Sequence, residues 1–160
     1  MKTGMLSIVI ASVLLIAFVV VFYGCKKTDS AETLEAYISR MGLASSLQSD
    51  PRGFYYKIVE PGTGATPTTS SKVTIYYKGT LTDGTVFDQT GNASNYQTGN
   101  PVTFSLNQLI PGWQIGLPLI KAGGTIILYL PPSMGYGSQS AGSIPPNSVL
   151  IFEIKLVSVG

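Results

Sequence analysis

From Phe54 onward, apolar residues tend to alternate with polar ones, and this period of two restricts the possible folds more than any other feature of the chain. The alternation is clearest in residues 71–81, where Val73, Ile75 and Tyr77 lie on one face of a predicted strand. The pattern indicates a strand that buries one face and leaves the other free.

Turn-forming residues divide the rest of this region into similar short strands. Asp83-Gly84 is typical of a hairpin turn. Residues 110–120 are the one helix candidate after residue 50, and Pro118 should end or bend that helix. The other predicted strands cover residues 53–60, 85–89, 101–106, 123–132 and 148–160. The sequence therefore predicts an α+β fold, an antiparallel sheet with one face to cover and a short helix to cover it.

A second helix is predicted before the sheet, within residues 29–47. Its apolar residues recur at helical spacing: Leu34, Tyr37, Ile38 and Met41. Asp29 and Glu32 resemble a capping pair, and Gly42 is a natural end for the helix. We interpret it as a spacer helix on the surface of the domain; the alternative is a docking or dimer helix.

The N-terminus is predicted to be an export segment. One Lys precedes an apolar run from Met5 to Tyr23, which Gly24-Cys25 and two further Lys residues follow. The segment resembles a bacterial lipoprotein signal whose lipidated residue is Cys25, the single cysteine of the chain, although Phe22 and Tyr23 are bulkier than is usual there. A transmembrane anchor is the alternative, because about 18 or more apolar residues can span a bilayer. Both interpretations place the chain outside the cytoplasm and attached to a membrane, and the outer membrane of a two-membrane bacterium is our expectation.

Composition excludes several kinds of chemistry. The chain has no histidine, which rules out Ser-His-Asp and Cys-His catalysis and any His-ligated metal. A net charge of +2 indicates no nucleic-acid surface. We find no carboxylate pair, phosphate loop or metal spacing, so no metal and no cofactor are expected. Among the carboxylates only Asp88 is unusual, because it directly follows Phe87 at the end of an apolar strand.

Aromatic side chains are the remaining candidates for function. They lie at strand ends or in the loops beside them: Tyr77, Phe87, Phe104, Trp113, Tyr136 and Phe152. Any one of them could be an ordinary core residue. As a set they can line one apolar concavity, with tyrosine hydroxyls as its few polar groups. Trp113, the one tryptophan, follows a Pro-Gly corner, which suits a ring that is placed as a surface for a ligand.

Five motifs, taken in order, resemble those of the FKBP-type peptidyl-prolyl cis-trans isomerases. They are Tyr-x-Gly-x-Leu from Tyr77, Asp-Gly-x-x-Phe-Asp from Asp83, Ile-Pro-Gly-Trp from Ile110, Tyr-Gly at Tyr136 and Ile-Pro-Pro-Asn from Ile144. The resemblance covers residues 53–160. It implies a curved antiparallel sheet wrapped around one short helix, with the active site between them. The expected divisions are a signal or anchor at 1–25, a tether and helix at 26–50, and the isomerase domain at 51–160.

The resemblance also implies roles for individual residues. Trp113 would be the floor on which a prolyl ring rests, Ile110 would offer its backbone N–H to a ligand carbonyl, and Tyr136 would offer its hydroxyl. Asp88 would accept hydrogen bonds from neighbouring side chains. The catalytic set implied is Asp88, Tyr136, Trp113, Phe87 and Tyr77, and the substrate-binding set is Leu109, Ile110, Val102, Phe104, Ile144 and Phe152.

The sequence departs from the family pattern around this pocket. Val102 stands where compact members have a Phe, so one wall should be thinner, and the loop at 89–100 is longer. Ser143 replaces an apolar residue, and the loop at 138–142 is shorter. These changes bear on macrolide affinity and sequence preference, while the expected floor, tyrosine and aspartate are all present.

The chemistry that the family implies suits this composition. Rotation about a prolyl bond faces a barrier of about 18–20 kcal/mol from amide resonance and needs neither a nucleophile nor a proton relay. We therefore expect an isomerase that acts on proline-containing polypeptides outside the cytoplasm, with macrolides as candidate inhibitors. The alternatives are a catalytically weak binding or chaperone module with this fold, and a structural lipoprotein.

The outer face of the sheet is unusually apolar. The residues that should point to its convex side are Tyr76, Ile127, Tyr129, Ile151 and Val157. We expect the helix near residues 31–42, or a second copy of the chain, to cover this face.

Overall fold

The computed structural model describes residues 32–160. The predictions for the export segment, for Cys25 and for Asp29 lie outside the described residues. Within residues 32–160, no helix has the length and apolar character needed to cross a membrane.

The described strands form one antiparallel sheet. They are β1 (Gln48–Asp50), β2 (Phe54–Glu60), β3 (Lys72–Thr80), β4 (Val86–Gln89), β5 (Val102–Ser105), β6 (Thr125–Leu130) and β7 (Leu150–Val159). Their order is β1-β2-β6-β7-β3-β4, and β5 also pairs with β3. Strands β4 and β5 pair with successive halves of β3, so the chain between them leaves the sheet and returns to it. The predicted strands are confirmed; β1 was missed because its three polar residues carry no alternation.

The concave face of the sheet holds the main core, as the alternation predicts. Val73 and Ile75 of β3 are fully buried and belong to one core cluster with Phe152 and Ile154 of β7. Helix α2 (Pro111–Gly116) and a 3-10 turn at Leu117–Leu119 cover this face. The helix approaches β6 closely because two of its residues lack a side chain.

Gly116 shows how tight this approach is. A Cβ placed on Gly116 would lie 2.7 Å from Leu128 Cδ1, and one on Gly112 would overlap the side chain of Leu130. Any larger residue at either position would push α2 off the sheet. These glycines therefore fix the distance between α2 and the strands that form the opposite side of the site.

Helix α1 (Leu34–Arg40) begins at a different cap from the one predicted. Thr33 is the N-cap, and its hydroxyl accepts a hydrogen bond from the N–H of Ala36. Glu32 instead pairs with Arg40 at 2.7 Å. The predicted end at Gly42 is confirmed, since Gly42 has φ +65 and its N–H donates to the Ser39 carbonyl.

Helix α1 covers part of the convex face. Leu34 and Ile38 are buried against Tyr129 and Val149, with Ile127 and Ile151 packed around them. This confirms the expectation that the first helix lies on the outside of the sheet. Met41, predicted on the buried side of the helix, is 49% exposed because the helix ends there.

The rest of the convex face is covered differently or left open. The Tyr76 hydroxyl donates to the carbonyl of Gly99, which brings the 90–101 loop over this residue. Val157 stays 40% exposed. Helix α1 and the 90–101 loop thus each cover part of the convex face, and the part around Val157 stays open.

Candidate active site

An aromatic cavity of about 520 Å³ lies between α2, the concave face of the sheet and the loop before β7. This volume is in the usual range for a ligand site. Its lining residues are Tyr77, Phe87, Asp88, Phe104, Gln108, Leu109, Ile110, Trp113, Tyr136, Ala141, Gly142, Ser143, Ile144 and Phe152. Aromatic and aliphatic side chains dominate this lining, so the cavity suits an apolar ring.

Trp113 lies at the base of the cavity. Ile110 is the N-cap and Pro111 the first residue of α2, whose fixed φ suits that position, so Trp113 falls in the first turn and faces the sheet. Its ring meets Tyr77 edge-on at 5.3 Å between centroids and Phe152 at 5.0 Å. Such edge-to-face pairs hold an indole rigidly in place. Its Nε1 is buried without a hydrogen-bond partner among the described residues.

Phe87 completes the wall on the far side of Phe152. The two rings also meet edge-on, with centroids 5.4 Å apart. Gly79 makes room for them, since a Cβ there would lie 2.9 Å from Phe152 and would overlap the Phe87 ring. The absence of a side chain at Gly79 is therefore a condition for this wall.

The polar side of the cavity is the Tyr77–Asp88 pair. The Tyr77 hydroxyl donates to Asp88 Oδ2 at 2.5 Å. Burial, and then the hydrogen bond to Asp88, raises the pKa of Tyr77 well above its usual value. The tyrosine therefore stays protonated at any physiological pH and keeps donating to the carboxylate, whose second oxygen is left for another donor.

Residues 107–110 form the edge of the cavity beside α2. Gln114 Nε2 donates to the carbonyl of Leu109 at 2.7 Å and to that of Asn107 at 3.3 Å, which fixes this segment against the helix. The N–H of Ile110 donates to no acceptor within residues 32–160. It is therefore a backbone donor available to a ligand at the cavity wall.

Tyr136 stands at the opposite rim and is 41% exposed. It follows a 3-10 turn at Pro132–Met134. Behind it, Ile144 and Ala141 exchange backbone hydrogen bonds, so Ile144 is buried at 6% exposure and closes the cavity. The rim thus combines a hydroxyl that has no hydrogen-bond partner among residues 32–160 with an apolar side wall.

The 90–101 loop does not line the cavity. Thr90 is buried, and its Oγ1 accepts from the N–H of Tyr77 and donates to the carbonyl of Tyr96. The Tyr96 hydroxyl then donates to Glu153 on the outer face of β7. The longer loop is therefore anchored on the side of the sheet away from the cavity.

Ten of the eleven predicted pocket residues line this cavity, and Val102 does not. Val102 packs against the core at the start of β5, and Phe104, two residues later on the same face, is the wall. Val102 therefore adds no wall to the cavity, and the aromatic side chain of β5 that lines it is Phe104. Gln108, Ala141 and Gly142 were missed; they lie in segments without periodicity, and their proximity to named residues was the one available signal.

The described residues contain no cluster of acidic or cysteine side chains that could hold a metal ion. What the cavity offers is an apolar base, a carboxylate held by a tyrosine, a free hydroxyl and a free backbone N–H. Such a site can bind an apolar ring and orient the carbonyls beside it.

The sequence profile of the FKBP-type peptidyl-prolyl cis-trans isomerases matches residues 64–157, which is more than half of the chain. The chain therefore belongs to this family, and the resemblance drawn from its motifs is confirmed. The family is one of rotamases, enzymes that catalyse rotation about prolyl peptide bonds.

Relatives and solved structures agree with this placement. The chain is 40% identical over 125 residues to the FKBP-type peptidyl-prolyl cis-trans isomerase FkpA of Aeromonas hydrophila, a match over 78% of the chain and 45% of that protein. It is 49% identical over 110 residues to the outer membrane protein MIP of Legionella longbeachae, over 68% of the chain and 45% of that protein. The crystal structure of FkpA from Escherichia coli superposes with a TM-score of 0.70 at 39% identity, covering 79% of the chain and 57% of that structure. The chain thus spans about half the length of the curated relatives that it matches.

Proposed function

We propose that the chain is a peptidyl-prolyl cis-trans isomerase that acts on proline-containing polypeptides. The observation that carries the proposal is the cavity itself, in which Trp113 forms the base, Tyr77 holds Asp88, and Tyr136 and the Ile110 N–H supply donors at the rim. Phe87, Phe104, Leu109, Ile144 and Phe152 form the apolar walls.

Catalysis would come from preferring the twisted amide. The prolyl ring would rest on Trp113 and leave the X–Pro bond near the polar rim. Twisting removes amide resonance, so the twisted amide is less polar than the planar one. Transfer from water into an apolar site therefore costs the twisted amide less free energy than the planar amide. A site that binds the twisted form better than either planar form lowers the barrier without a covalent step.

The donors at the rim would hold the chain on either side of the rotating bond. Tyr136 and the Ile110 N–H lie on different segments that line the same cavity, so they can hold two different carbonyls. Rotation about the X–Pro bond requires that the chain on one side of the bond is held while the other side turns. Asp88, kept in place by Tyr77, would complete the polar environment around the carbonyl of the residue before proline.

The experiment follows cis-to-trans conversion of a Phe-Pro peptide by the purified chain, with Asp88→Val and Tyr136→Phe alongside. Fast conversion by the wild-type chain that falls in both variants supports the proposal. A folded wild-type chain that binds the peptide without accelerating conversion would instead indicate a binding module. The two features that would favour a binding module are the long loop at 89–100 and the wall at Val102, and neither contributes a residue to the cavity lining.

Export and membrane attachment are part of the same proposal. A basic start and a long apolar run precede Cys25, and a relative carries the name outer membrane protein MIP. We propose that Cys25 is lipidated and that residues 26–50, whose helix α1 and strand β1 pack on the sheet, connect the anchor to the isomerase domain at 51–160. Uncatalysed proline isomerisation takes tens of seconds or more, so an anchored isomerase would speed the folding of exported proteins. Mass spectrometry of the mature N-terminus tests the lipid, and a retained residue 1 would contradict it.

The cavity also suits macrolide inhibitors. Its volume and apolar walls match a large hydrophobic ligand with a few carbonyl acceptors. Competition between a macrolide and the Phe-Pro peptide tests this, and a macrolide that leaves the rate unchanged at saturating concentration would contradict it.

A further inference from the structure

A second groove, of about 510 Å³, continues from the cavity along strand β5. Phe104, Gln108 and Leu109 line both, so they are one continuous surface. The residues that line the groove alone are Lys72, Thr103 and Ser105. The groove is more polar than the cavity, and it leads away from the site that would hold the proline.

The outer edge of β5 is an unpaired sheet edge within the described residues. Strand β5 pairs with β3 on one side, and none of the other described strands pairs with its second side. Leu106 N–H donates to the carbonyl of Ser71, which fixes the alternation of the ladder. Along a strand, the backbone N–H and C=O groups of residues two apart point to the same side. Phe104 therefore also points these groups toward β3, and Thr103 and Ser105 point theirs toward the outer edge.

The hydrogen bonds of β3 also show that the backbone of Ser105 faces the outer edge of β5. Lys72, which lies opposite Ser105, exchanges both backbone hydrogen bonds with Gly160 at 2.8 Å, on the other side of β3. Its backbone is therefore not available to Ser105. Within the described residues, the N–H groups of Thr103 and Ser105 and the Thr103 carbonyl are thus free to pair with an added extended chain, as sheet edges commonly do, whereas the Ser105 carbonyl accepts the first hydrogen bond of the 3-10 turn at Leu106–Gln108.

Lys72 gives the groove a charge. Its side chain is exposed and forms no ion pair within residues 32–160. No carboxylate lies among the residues that line the groove. An acidic residue of a bound chain would therefore meet an uncompensated positive charge at this place.

We propose that the polypeptide on one side of the client proline lies extended along the outer edge of β5, pairs with the backbone of Thr103 and Ser105, and is favoured when it carries an acidic residue near Lys72. The proposal rests on the isomerase function proposed above, because the proline must occupy the cavity for its neighbours to reach this groove. It makes β5 a determinant of which prolines the enzyme selects.

Ser105 offers a clean backbone test. Its φ of −79 lies within the range that proline adopts, and its N–H points outward, so Ser105→Pro removes the free donor while keeping the ladder to β3. Ser105→Ala keeps the N–H and is the matched comparison. The assay is kcat/KM for a blocked Phe-Pro dipeptide and for a peptide with about four residues on each side of Phe-Pro.

The ratio of long-peptide to short-peptide kcat/KM is the diagnostic quantity. We expect Ser105→Pro to lower it by about two- to ten-fold relative to Ser105→Ala, which corresponds to one backbone hydrogen bond. N-methylation of alternate amides on the responsible side of the long peptide should produce a similar loss with the wild-type chain. This second measurement decides the matter if Ser105→Pro folds poorly.

The charge is tested with Glu or Lys placed in turn at each position of the long peptide. We expect Glu to exceed Lys by about two- to five-fold on one side of the proline, in the wild-type chain at low salt. Lys72→Glu should reverse this preference, whereas Lys57→Glu, the same charge change on β2, should retain it.

The two proposals fail differently. No conversion of either peptide would overturn the isomerase function itself. Conversion of the short peptide with no gain from length, no effect of N-methylation and no charge preference on either side would overturn the groove alone. Equal effects of Lys72→Glu and Lys57→Glu would show a general electrostatic effect and would also overturn it.

Discussion

Replacing Trp113 by leucine tests the floor of the proposed active site. The change removes two edge-to-face contacts, with Tyr77 and with Phe152. At about 0.5–1.5 kcal/mol each, their loss should lower the free energy of unfolding by about 1–3 kcal/mol. Trp113 is 5% exposed, so little of this loss can be recovered by water.

The effect on the rate follows from the contact that the prolyl ring of the substrate would make with the indole of Trp113. A prolyl ring has three methylene groups, worth about 2.4 kcal/mol if fully buried at about 0.8 kcal/mol each. Leucine would still cover part of the ring, so the expected loss is roughly half of this value or more. That corresponds to a fall of about eight- to sixty-fold in kcat/KM for a Phe-Pro peptide.

The assay is the initial rate of cis-to-trans conversion, measured below the melting temperature of each variant. Tyr37→Leu is the control, because Tyr37 is an aromatic residue packed beside Tyr129 on the opposite face of the sheet. It should lower stability while leaving kcat/KM within about two-fold of wild type. A Trp113→Leu chain that is folded and as fast as wild type would refute the role of the indole as a floor.

Three further predictions concern the surroundings of the site. Gly79→Ala should lower the free energy of unfolding by about 1–3 kcal/mol and displace Phe87 from the cavity wall, which thermal melting and peptide binding would detect; an unchanged melting temperature would contradict the close packing seen there. Burial, with the charge of Glu153 adding to it, raises the pKa of Tyr96 from 10.0 to about 12, so its contribution to stability is complete below pH 10 and is lost as the pH rises toward 12; wild type should lose stability over this window more steeply than Tyr96→Phe, and equal slopes would contradict the prediction. Leu34→Ala should cost about 2–4 kcal/mol and speed hydrogen exchange in α1, yet leave the isomerase rate intact, since α1 lies on the convex face; a lost rate in the folded variant would link that face to catalysis.

The sheet and its short helix could be predicted because their signals are local. The alternation of Val73, Ile75 and Tyr77 specifies a strand with one buried face, and Pro111 sets the start of the helix that carries Trp113. The motifs predicted most of the pocket residues because they too are local signals: each falls at a strand end or a turn of fixed geometry.

Other features depend on tertiary contacts that no local pattern reveals. Strand β1 exists because β2 offers it an edge, although its three residues are polar. The choice of Phe104 over Val102 as the wall depends on where β5 meets the cavity, and both residues face the same side. The direction of the 90–101 loop depends on the distant pairing of Tyr96 with Glu153.

Capping also illustrates the limit of local signals. Asp29 and Glu32 have a plausible spacing for a cap, but Thr33 takes the role next to the first buried residue, Leu34. Glu32 is held instead by Arg40, whose guanidinium keeps the pKa of that carboxyl below its usual value. Packing of Leu34 on the sheet, rather than the sequence spacing, thus decides where the helix begins.

We infer that an X–Pro bond turns while its prolyl ring lies on Trp113. The most direct test is NMR of a Phe-Pro peptide with a substoichiometric amount of the chain, recording exchange between cis and trans proline signals together with NOEs from the indole to the prolyl ring. Trp113 is the one tryptophan of the chain, so its indole signals need no assignment among several. We expect both accelerated exchange and indole-to-proline NOEs. Exchange without these NOEs would place catalysis elsewhere, and NOEs without exchange would mean that the cavity binds proline and does not turn it.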